Sequence, residues 1–542
     1  MKTKTEPNIL EDRQNLLNTI EASNWATEYT GKKVSEANIQ YLIQYNRIPV
    51  ATYEGRSLLD PVDLEEYYTS RSYKREQLYK DRLGKDLHWH LSFDQYSESE
   101  TTKHVHRLHP YKGKYIPQLV EYFLDSHKDA YKKNTYFEPG DIVLDPFSGS
   151  GTTLVQANEL GLHSVGVDIS SFNCAITNAK LSKVSLEKLA YMIALVEEKI
   201  RLDDVSRSIN NLDRVISSHL SEINREYFPK PEFQRKIRNG EIDENEYSSK
   251  HVATFTKWYM KKMSAYFDTE YRSVLNADFL NKWLAPSVQA EVSSAIRTIE
   301  NFEVCPERQM LRIILSRTVR SCRATKHSDL ATLYEPVTKP YYCKKHYKIC
   351  KPLLSSLSWW RRYSRDTLKR LSEFSNLRTN TVQFCIEGDA RTLDIYREIS
   401  KEQPELAELV REKGISGIMT SPPYVGIIDY HEQHAYAYEL YRLPRKDKHE
   451  IGPLSGGSGS KARTSYVDGI VTVLTNCSTL LKKSANIFIV VNDKFDLYPE
   501  IIDRSGLQIE YQYKRPVLNR AEGIKGFYSE SIFHCKERRY DH

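Results

Sequence analysis

The chain has 542 residues, 40% hydrophobic and 28% charged, a globular balance with length for two to four domains. No apolar run of about 18 residues is present, which excludes an α-helical membrane span, and the N-terminus lacks the apolar stretch of a secretory signal. Net charge is only +6 and eight cysteines are scattered, so a strongly basic composition and a disulfide scaffold are both excluded, and a reducing, cytoplasmic setting is expected.

Residues 1–80 read as a small unit of their own. The stretch "NWATEYTGKKVSEANIQYLIQYNRIPVATYEGRSLLDPVDLEEYY" predicts a helix from Glu36 to Gln44 with Ser35 as N-cap. A turn at Asn46 and Arg47, short strands about Gly55, and a helix from Asp63 after Pro61 follow. This order resembles the excisionase-like winged helix-turn-helix, over about 45 residues. The resemblance implies a second helix in the major groove and a hairpin on the backbone, with Arg47 and Arg56 as DNA contacts. A small helical packing domain is the competing reading.

Residues 81–180 turn to a strand–loop–helix–strand pattern. In "DIVLDPFSGSGTTLVQANELGLHSVGVDIS", Ile142–Leu144 is a strand, Phe147 to Gly151 a glycine turn and Thr152 to Leu160 a helix. A second strand, Ser164–Val167, ends in Asp168. Glycines let the backbone approach a ligand, the helix N-terminus points amides at it, and a terminal acid suits two ribose hydroxyls. A nicotinamide-binding unit begins similarly, but the third glycine of that fingerprint is absent here and Asp145-Pro146-Phe147 follows the strand directly. The stretch resembles the S-adenosyl-L-methionine loop of amino-methylating DNA methyltransferases. The resemblance implies a pocket shaped by Phe147, Gly149, Gly151 and Thr152, with Asp145 on the cofactor amino group and Asp168 on the ribose. Upstream, "LHPYKGKYIPQLVEYFL" resembles that family's preceding cofactor segment, and implies Lys114 and Tyr115 near the methionine carboxylate.

Residues 181–380 are mostly helical and charged; "LAYMIALVEEKI" and "SVQAEVSSAIRTIE" show helical spacing. Between Val337 and Leu371 ten Lys and Arg face a single acid, Asp366, with six aromatics interleaved. Such a stretch suits nucleic acid, with Lys344, Lys345, Arg361 and Arg362 as contacts; a solvated basic helix is the competing reading. Cys322, Cys343, His346 and Cys350 offer ligands for a structural zinc site, although no paired Cys-x2-Cys is present and buried thiols would look the same.

Residues 381–542 alternate strands and helices again. "CIEGDARTL" places Asp389 after a short strand, resembling the segment that meets the cofactor adenine. The apolar run Ile415–Met419 stops at Thr420-Ser421-Pro422-Pro423-Tyr424, where two prolines fix φ and remove donors. In the same family this corner holds a flipped base. The resemblance assigns catalysis to Ser421, Pro422, Pro423 and Tyr424, with acceptors for an exocyclic amine and a ring for stacking. "GPLSGGSGSKARTSY" reads as a flexible loop that carries Lys461 and Arg463 toward DNA, or as an inert surface loop. "ANIFIVV", Ala485–Val491, reads as a strand buried on both faces.

The expectation is an α/β protein with a Rossmann-like, mostly parallel methyltransferase core split by a helical insertion, plus an N-terminal winged helix. The resemblance implies a restriction–modification DNA methyltransferase acting on double-stranded DNA. Ser at the first position of the corner is typical of cytosine-N4 enzymes and Asp of adenine-N6 enzymes. Adenine-N6 methylation, tRNA guanine methylation and a non-catalytic DNA-binding regulator are the alternatives. No nuclease motif is present, so a cognate restriction endonuclease would be a separate chain.

Overall fold

The computed structural model describes residues 16–31, 33–44, 48–53, 55–129, 131–202, 204–267, 278–327, 333–518 and 527–538. Two compact units divide the chain, Met1–Thr101 with Gln512–Ile532, and Thr102–Tyr511 with Phe533–His542. The N-terminal unit therefore extends past residue 80 and takes in a C-terminal segment.

In the N-terminal unit, helix Thr19–Thr30 starts at a capping box: Asn18 Oδ1 accepts from the amides of Ile20 and Glu21, and Glu21 accepts from Asn18 N–H. Helix Glu36–Gln44 begins at Ser35, whose Oγ accepts from Asn38 N–H at 3.3 Å. Strands β1 (Ala51–Tyr53) and β2 (Arg56–Leu58) pair antiparallel. Helix Pro61–Leu83 begins two residues before Asp63, because Asp60 caps it by accepting from Val62 N–H at 2.8 Å. Ala22, Ala26, Ile39, Leu42, Ile48, Leu59 and Leu64 form the core between these elements. Arg56 lies in β2, whereas Arg47 lies outside the described residues.

The second unit is built on β3 (Ile142–Asp145), β4 (His163–Asp168), β7 (Gln383–Glu387), β8 (Ile415–Thr420) and β9 (Leu481–Val491). Strands β5 (Tyr341–Cys343) and β6 (Lys348–Cys350) form a separate antiparallel hairpin. With β10 (Leu507–Pro516) and β11 (Ser529–Glu537), the sheet order is β10-β11-β9-β8-β3-β4-β7. The pairs β3/β4, β4/β7, β3/β8 and β8/β9 are all parallel. Each of β3 and β8 is buried along its whole length, as a sheet covered on both faces requires. Helices Ile395–Glu402, Pro404–Lys413, Ser460–Ser478 and Tyr498–Arg504 share one core with the strands. Helices Thr152–Glu159 and Ser171–Leu181 belong to the other.

The 181–380 region lies between β4 and β7 and is not one independent body. Helices Leu186–Leu202, Pro286–Glu300, Pro306–Cys322 and Leu357–Ser375 bury their apolar faces in the same core as Ser171–Leu181. Helices Asp204–Tyr227, Glu232–Arg238 and Glu244–Phe267 instead form a satellite core with Ile349 and Leu354. Among the described residues no helix is long and apolar enough to cross a membrane.

Candidate active site and cofactor cleft

Strand β3 is the first of the parallel set, and the chain leaves it in one direction through β4 and β7 before returning to β8 on its other side. Ligands of open parallel sheets bind at the carboxyl ends next to such a reversal. A cleft lies there. It is lined by Phe147, Gly149 and Thr152 after β3, Asp168 at the end of β4, Asp389 after β7, and Ser421 and Pro423 after β8. Lys114 and Tyr115, from the segment before helix Pro117–Leu124, complete it. Stretches far apart in the sequence thus converge on one cavity.

The glycine loop is shaped by what its backbone must pass. Gly151 has φ +76° and a Cβ there would lie 2.5 Å from Thr177 Cγ2. Gly149 has φ +52° and faces the Tyr111 ring, whose hydroxyl would be 3.0 Å from a Cβ. Gly149 N–H donates to Asp168 Oδ2 at 2.8 Å, while Ser170 N–H and Asn173 Nδ2 donate to Oδ1 at 2.8 and 3.0 Å. Burial raises the Asp168 carboxyl to about 6 despite these donors. Lys180, fully buried, donates to the Ser150 carbonyl at 2.5 Å and so holds the loop from beneath. Lys114 Nζ donates to the His106 carbonyl at 2.7 Å, and burial lowers its pKa to about 8.

Asp145 does not line the cleft. It is 1% exposed, and both oxygens are engaged: Oδ1 accepts from Thr420 Oγ1 (2.6 Å) and Phe147 N–H (3.2 Å), Oδ2 from Thr153 Oγ1 (2.7 Å) and Tyr115 OH (3.2 Å). Burial raises its pKa against all four donors. Asp389 is different: burial would raise its carboxyl, but Arg391, bidentate on it at 2.6–3.1 Å, holds it below the usual range.

At the corner, Ser421 and Pro423 face the cleft, Pro422 is buried, and the half-buried Tyr424 packs on the core below. Tyr466 OH donates to the Pro423 carbonyl at 2.8 Å and lies 2.7 Å from Tyr498 OH. Beyond the corner, Glu450 lines the cleft and its carboxylate accepts from the amides of Tyr430 (3.1 Å) and His431 (2.8 Å) and pairs with the His431 ring.

The loop expectation for Gly452–Tyr466 holds only in part. Helix Ser460–Ser478 begins inside it, so Lys461 and Arg463 sit in a first helical turn, with the Arg463 guanidinium 5.0 Å from the Phe495 ring centre. The preceding residues are tied to the segment that follows the proline corner: Ser455 N–H and Oγ donate to Asp429 Oδ1 at 3.0 and 3.1 Å. Of the basic stretch, Lys344 and Lys345 are exposed in the β5–β6 turn. Arg361 pairs with Glu197 at 2.8 Å, and Arg362 lies 5.1 Å over the Trp359 ring. Cys322 is a correction: it is buried in the core around helix Pro306–Cys322, and His327 joins Cys343, His346 and Cys350 instead.

Sequence reasoning missed Tyr111, Asn173, Glu450 and Tyr466. Tyr111 and Asn173 lay within or beside quoted motifs, while nothing in "KDKHEIGP" marks Glu450.

A parallel sheet that reverses at β3, a glycine loop with an acid at the next strand end, and a proline-walled corner across the cleft define an S-adenosyl-L-methionine-dependent methyltransferase. The family described as "DNA methylase" (N6_N4_Mtase) matches residues 6–179. Type II methyltransferase M.MjaII of Methanocaldococcus jannaschii is 43% identical over 530 residues, 97% of this chain and 98% of that protein. Type II methyltransferase M.MvaI of Kocuria varians is 30% identical over 130 residues, 23% of this chain and 27% of that one. Type II methyltransferase M.BsoBI of Geobacillus stearothermophilus is 32% identical over 72 residues, 13% of each chain. No solved structure matches. The chain belongs to the type II DNA methyltransferase family, whose members use S-adenosyl-L-methionine.

Proposed function

We propose that this chain methylates the exocyclic N4 amine of a cytosine flipped out of double-stranded DNA. The observation that carries the reading is Ser421, a side chain with a hydroxyl at the carboxyl end of β8, lining the same cleft as Asp168 and the glycine loop. The residues suit the cofactor. All four assigned residues line the cleft: on the family resemblance Asp168 would accept from two ribose hydroxyls, Asp389 would meet the adenine, and Lys114 and Tyr115 the methionine carboxylate. Phe147, Gly149 and Thr152 wall the remainder, and Gly151 sets the turn behind them, packed against Thr177. Asp145, with both oxygens engaged, serves as a positioning residue under the loop.

The cofactor supplies a methyl group on a sulfonium. An amine conjugated to a ring is a poor nucleophile, because its lone pair is delocalised. The Ser421 hydroxyl and the Pro422 carbonyl accept from the two N–H bonds and favour a tetrahedral nitrogen. Neither proline can donate, so the corner stays rich in acceptors. Tyr424 supplies a ring for the extruded base, a contact worth about 1–3 kcal/mol. Ser rather than Asp at residue 421 favours cytosine over adenine on the family resemblance.

The N-terminal helices and hairpin, with Arg56 in β2, the exposed Lys344, Lys345, Arg361, Arg362 and Lys461, and the half-buried Arg463 supply DNA contacts. The modification protects DNA from a cognate restriction endonuclease made as a separate chain. Duplex DNA treated with the purified protein, digested to nucleosides and analysed by mass spectrometry, should contain N4-methylcytosine. N6-methyladenine would overturn the assignment of base. Inhibition of DNA methylation by a modest excess of tRNA would overturn that of substrate.

A further inference from the structure

We propose that His327, Cys343, His346 and Cys350 form a structural zinc site in the insertion. One ligand atom from each lies within 4.8 Å of all the others. His346 Nδ1 is 3.5 Å from Cys343 Sγ and 3.8 Å from Cys350 Sγ, and His327 Nδ1 is 3.8 Å from Cys343 Sγ. Zinc at its usual distances from sulfur and imidazole, with tetrahedral angles, puts S···N edges at about 3.6 Å and S···S edges at about 3.8 Å. Three S···N distances therefore match the edges of a zinc tetrahedron, and the four ligand atoms are close enough together to share one ion.

The hairpin explains how they converge. Tyr341 pairs with Cys350 and Cys343 with Lys348, which puts Cys343 and Cys350 on one face. His346 occupies the turn between them. Tyr342 and Ile349 point the other way, toward the satellite core. On that side Tyr342 OH donates to Glu244 at 2.9 Å, and Asn224 bonds both the N–H (2.9 Å) and the carbonyl (3.0 Å) of Ile349. Tyr341 OH accepts from the His327 amide at 3.1 Å and lies 2.8 Å from its Nδ1, a position that metal would compete for. Two strands of three residues make a marginal hairpin by themselves. Zinc would clamp it to the chain that follows helix Pro306–Cys322. Four protein ligands leave no coordination position for water or substrate, and none of the four lines the catalytic cleft. The role is structural.

The test is zinc content of the purified full-length protein, by mass spectrometry after gel filtration in a thiol-containing buffer. One zinc per chain is expected. Cobalt(II) in its place should show tetrahedral ligand-field bands with thiolate-to-cobalt charge transfer. Cys343→Ser and His327→Ala should lose the stoichiometric metal, and Cys322→Ser should keep it. Substoichiometric zinc in the unmodified protein, a Cys343–Cys350 disulfide, or full zinc retention by His327→Ala would each overturn the site. The measurements on the unmodified protein decide the question even if a variant fails to fold.

Discussion

Thr420 and Asp145, 275 residues apart, are joined by a 2.6 Å hydrogen bond between the ends of β8 and β3. Each residue immediately precedes one of the two chemical motifs, so the bond locks the glycine loop to the proline corner. Thr420→Val keeps the shape and removes the donor. The loss should destabilise the protein by about 1–3 kcal/mol at neutral pH, measured by denaturant unfolding. Because burial already raises the Asp145 carboxyl, the deficit belongs to the ionised form and should narrow as pH falls and the carboxyl is neutralised. A deficit that does not change with pH would disconnect Thr420 from Asp145.

Asp168 should make cofactor binding sensitive to acid. Its folded pKa of about 6 exceeds the ordinary 3.8, so the folded protein holds a proton that the unfolded chain releases. Folding therefore gains stability as pH falls from about 6 toward 3.8, and loses that gain as pH rises through 6. Cofactor affinity runs the opposite way, since a ribose needs the carboxylate. The dissociation constant should rise by up to about tenfold per pH unit below the folded pKa. In Asp168→Asn, binding by calorimetry should be weaker and nearly flat over the same range.

Two glycines with similar φ should respond differently. Gly151→Ala combines a φ of +76° with a collision at 2.5 Å against Thr177, whereas Gly240→Ala at +72° meets nothing within 4 Å. The Gly240 change should cost about 1 kcal/mol of stability and leave the KM for cofactor unchanged. The Gly151 change should raise that KM by more than about tenfold, a loss of over 1.4 kcal/mol.

Ser421→Ala and Tyr466→Phe separate the acceptor from its scaffold. Ser421→Ala should lower kcat by about a hundredfold with the KM for cofactor little changed, since the lost interaction strengthens in the transition state. Tyr466→Phe removes the donor to the Pro423 carbonyl and should cost about 0.5–1.5 kcal/mol in stability, with a smaller fall in kcat. A Ser421→Ala protein with full activity would refute the amine-acceptor role.

Lys344→Glu with Lys345→Glu should weaken DNA binding similarly for all sequences and flatten its salt dependence by about one to two in log–log slope. Cofactor binding should be unaffected, because neither residue lines the cleft.

The segments that line the cleft were legible because short-range chemistry announces them. The glycine turn, the strand-terminal Asp168 and the proline corner are each consecutive in sequence, and parallel strands bring their carboxyl ends together. Residues that act across elements left no such trace. Tyr466 was hidden in a stretch that composition assigned to a loop, and its partner Pro423 is 43 residues away. The pairing of His431 with Glu450 depends on a fold-back that no periodicity reveals. Cysteine counting chose Cys322, whereas the hairpin's geometry selects His327, which lies 16 residues before Cys343 and outside any spacing rule. The start of helix Pro61–Leu83 was placed late because Asp60, not the residues after Pro61, provides the cap.

Strands β4 and β7 are neighbours in the sheet, paired from Ser164↔Gln383 to Asp168↔Glu387. Parallel neighbours always need a crossover, but nothing in their pairing fixes how long it is. In this chain the crossover has swollen into a lobe with a satellite core of its own. Lobe size is therefore a free variable of the architecture, while the spacing of Asp168 and Asp389 is pinned by strand register. Descendants of this sequence can lengthen, trim or exchange the satellite part, from helix Asp204–Tyr227 to helix Glu244–Phe267, without re-engineering the cleft, and variation in length among relatives should concentrate there.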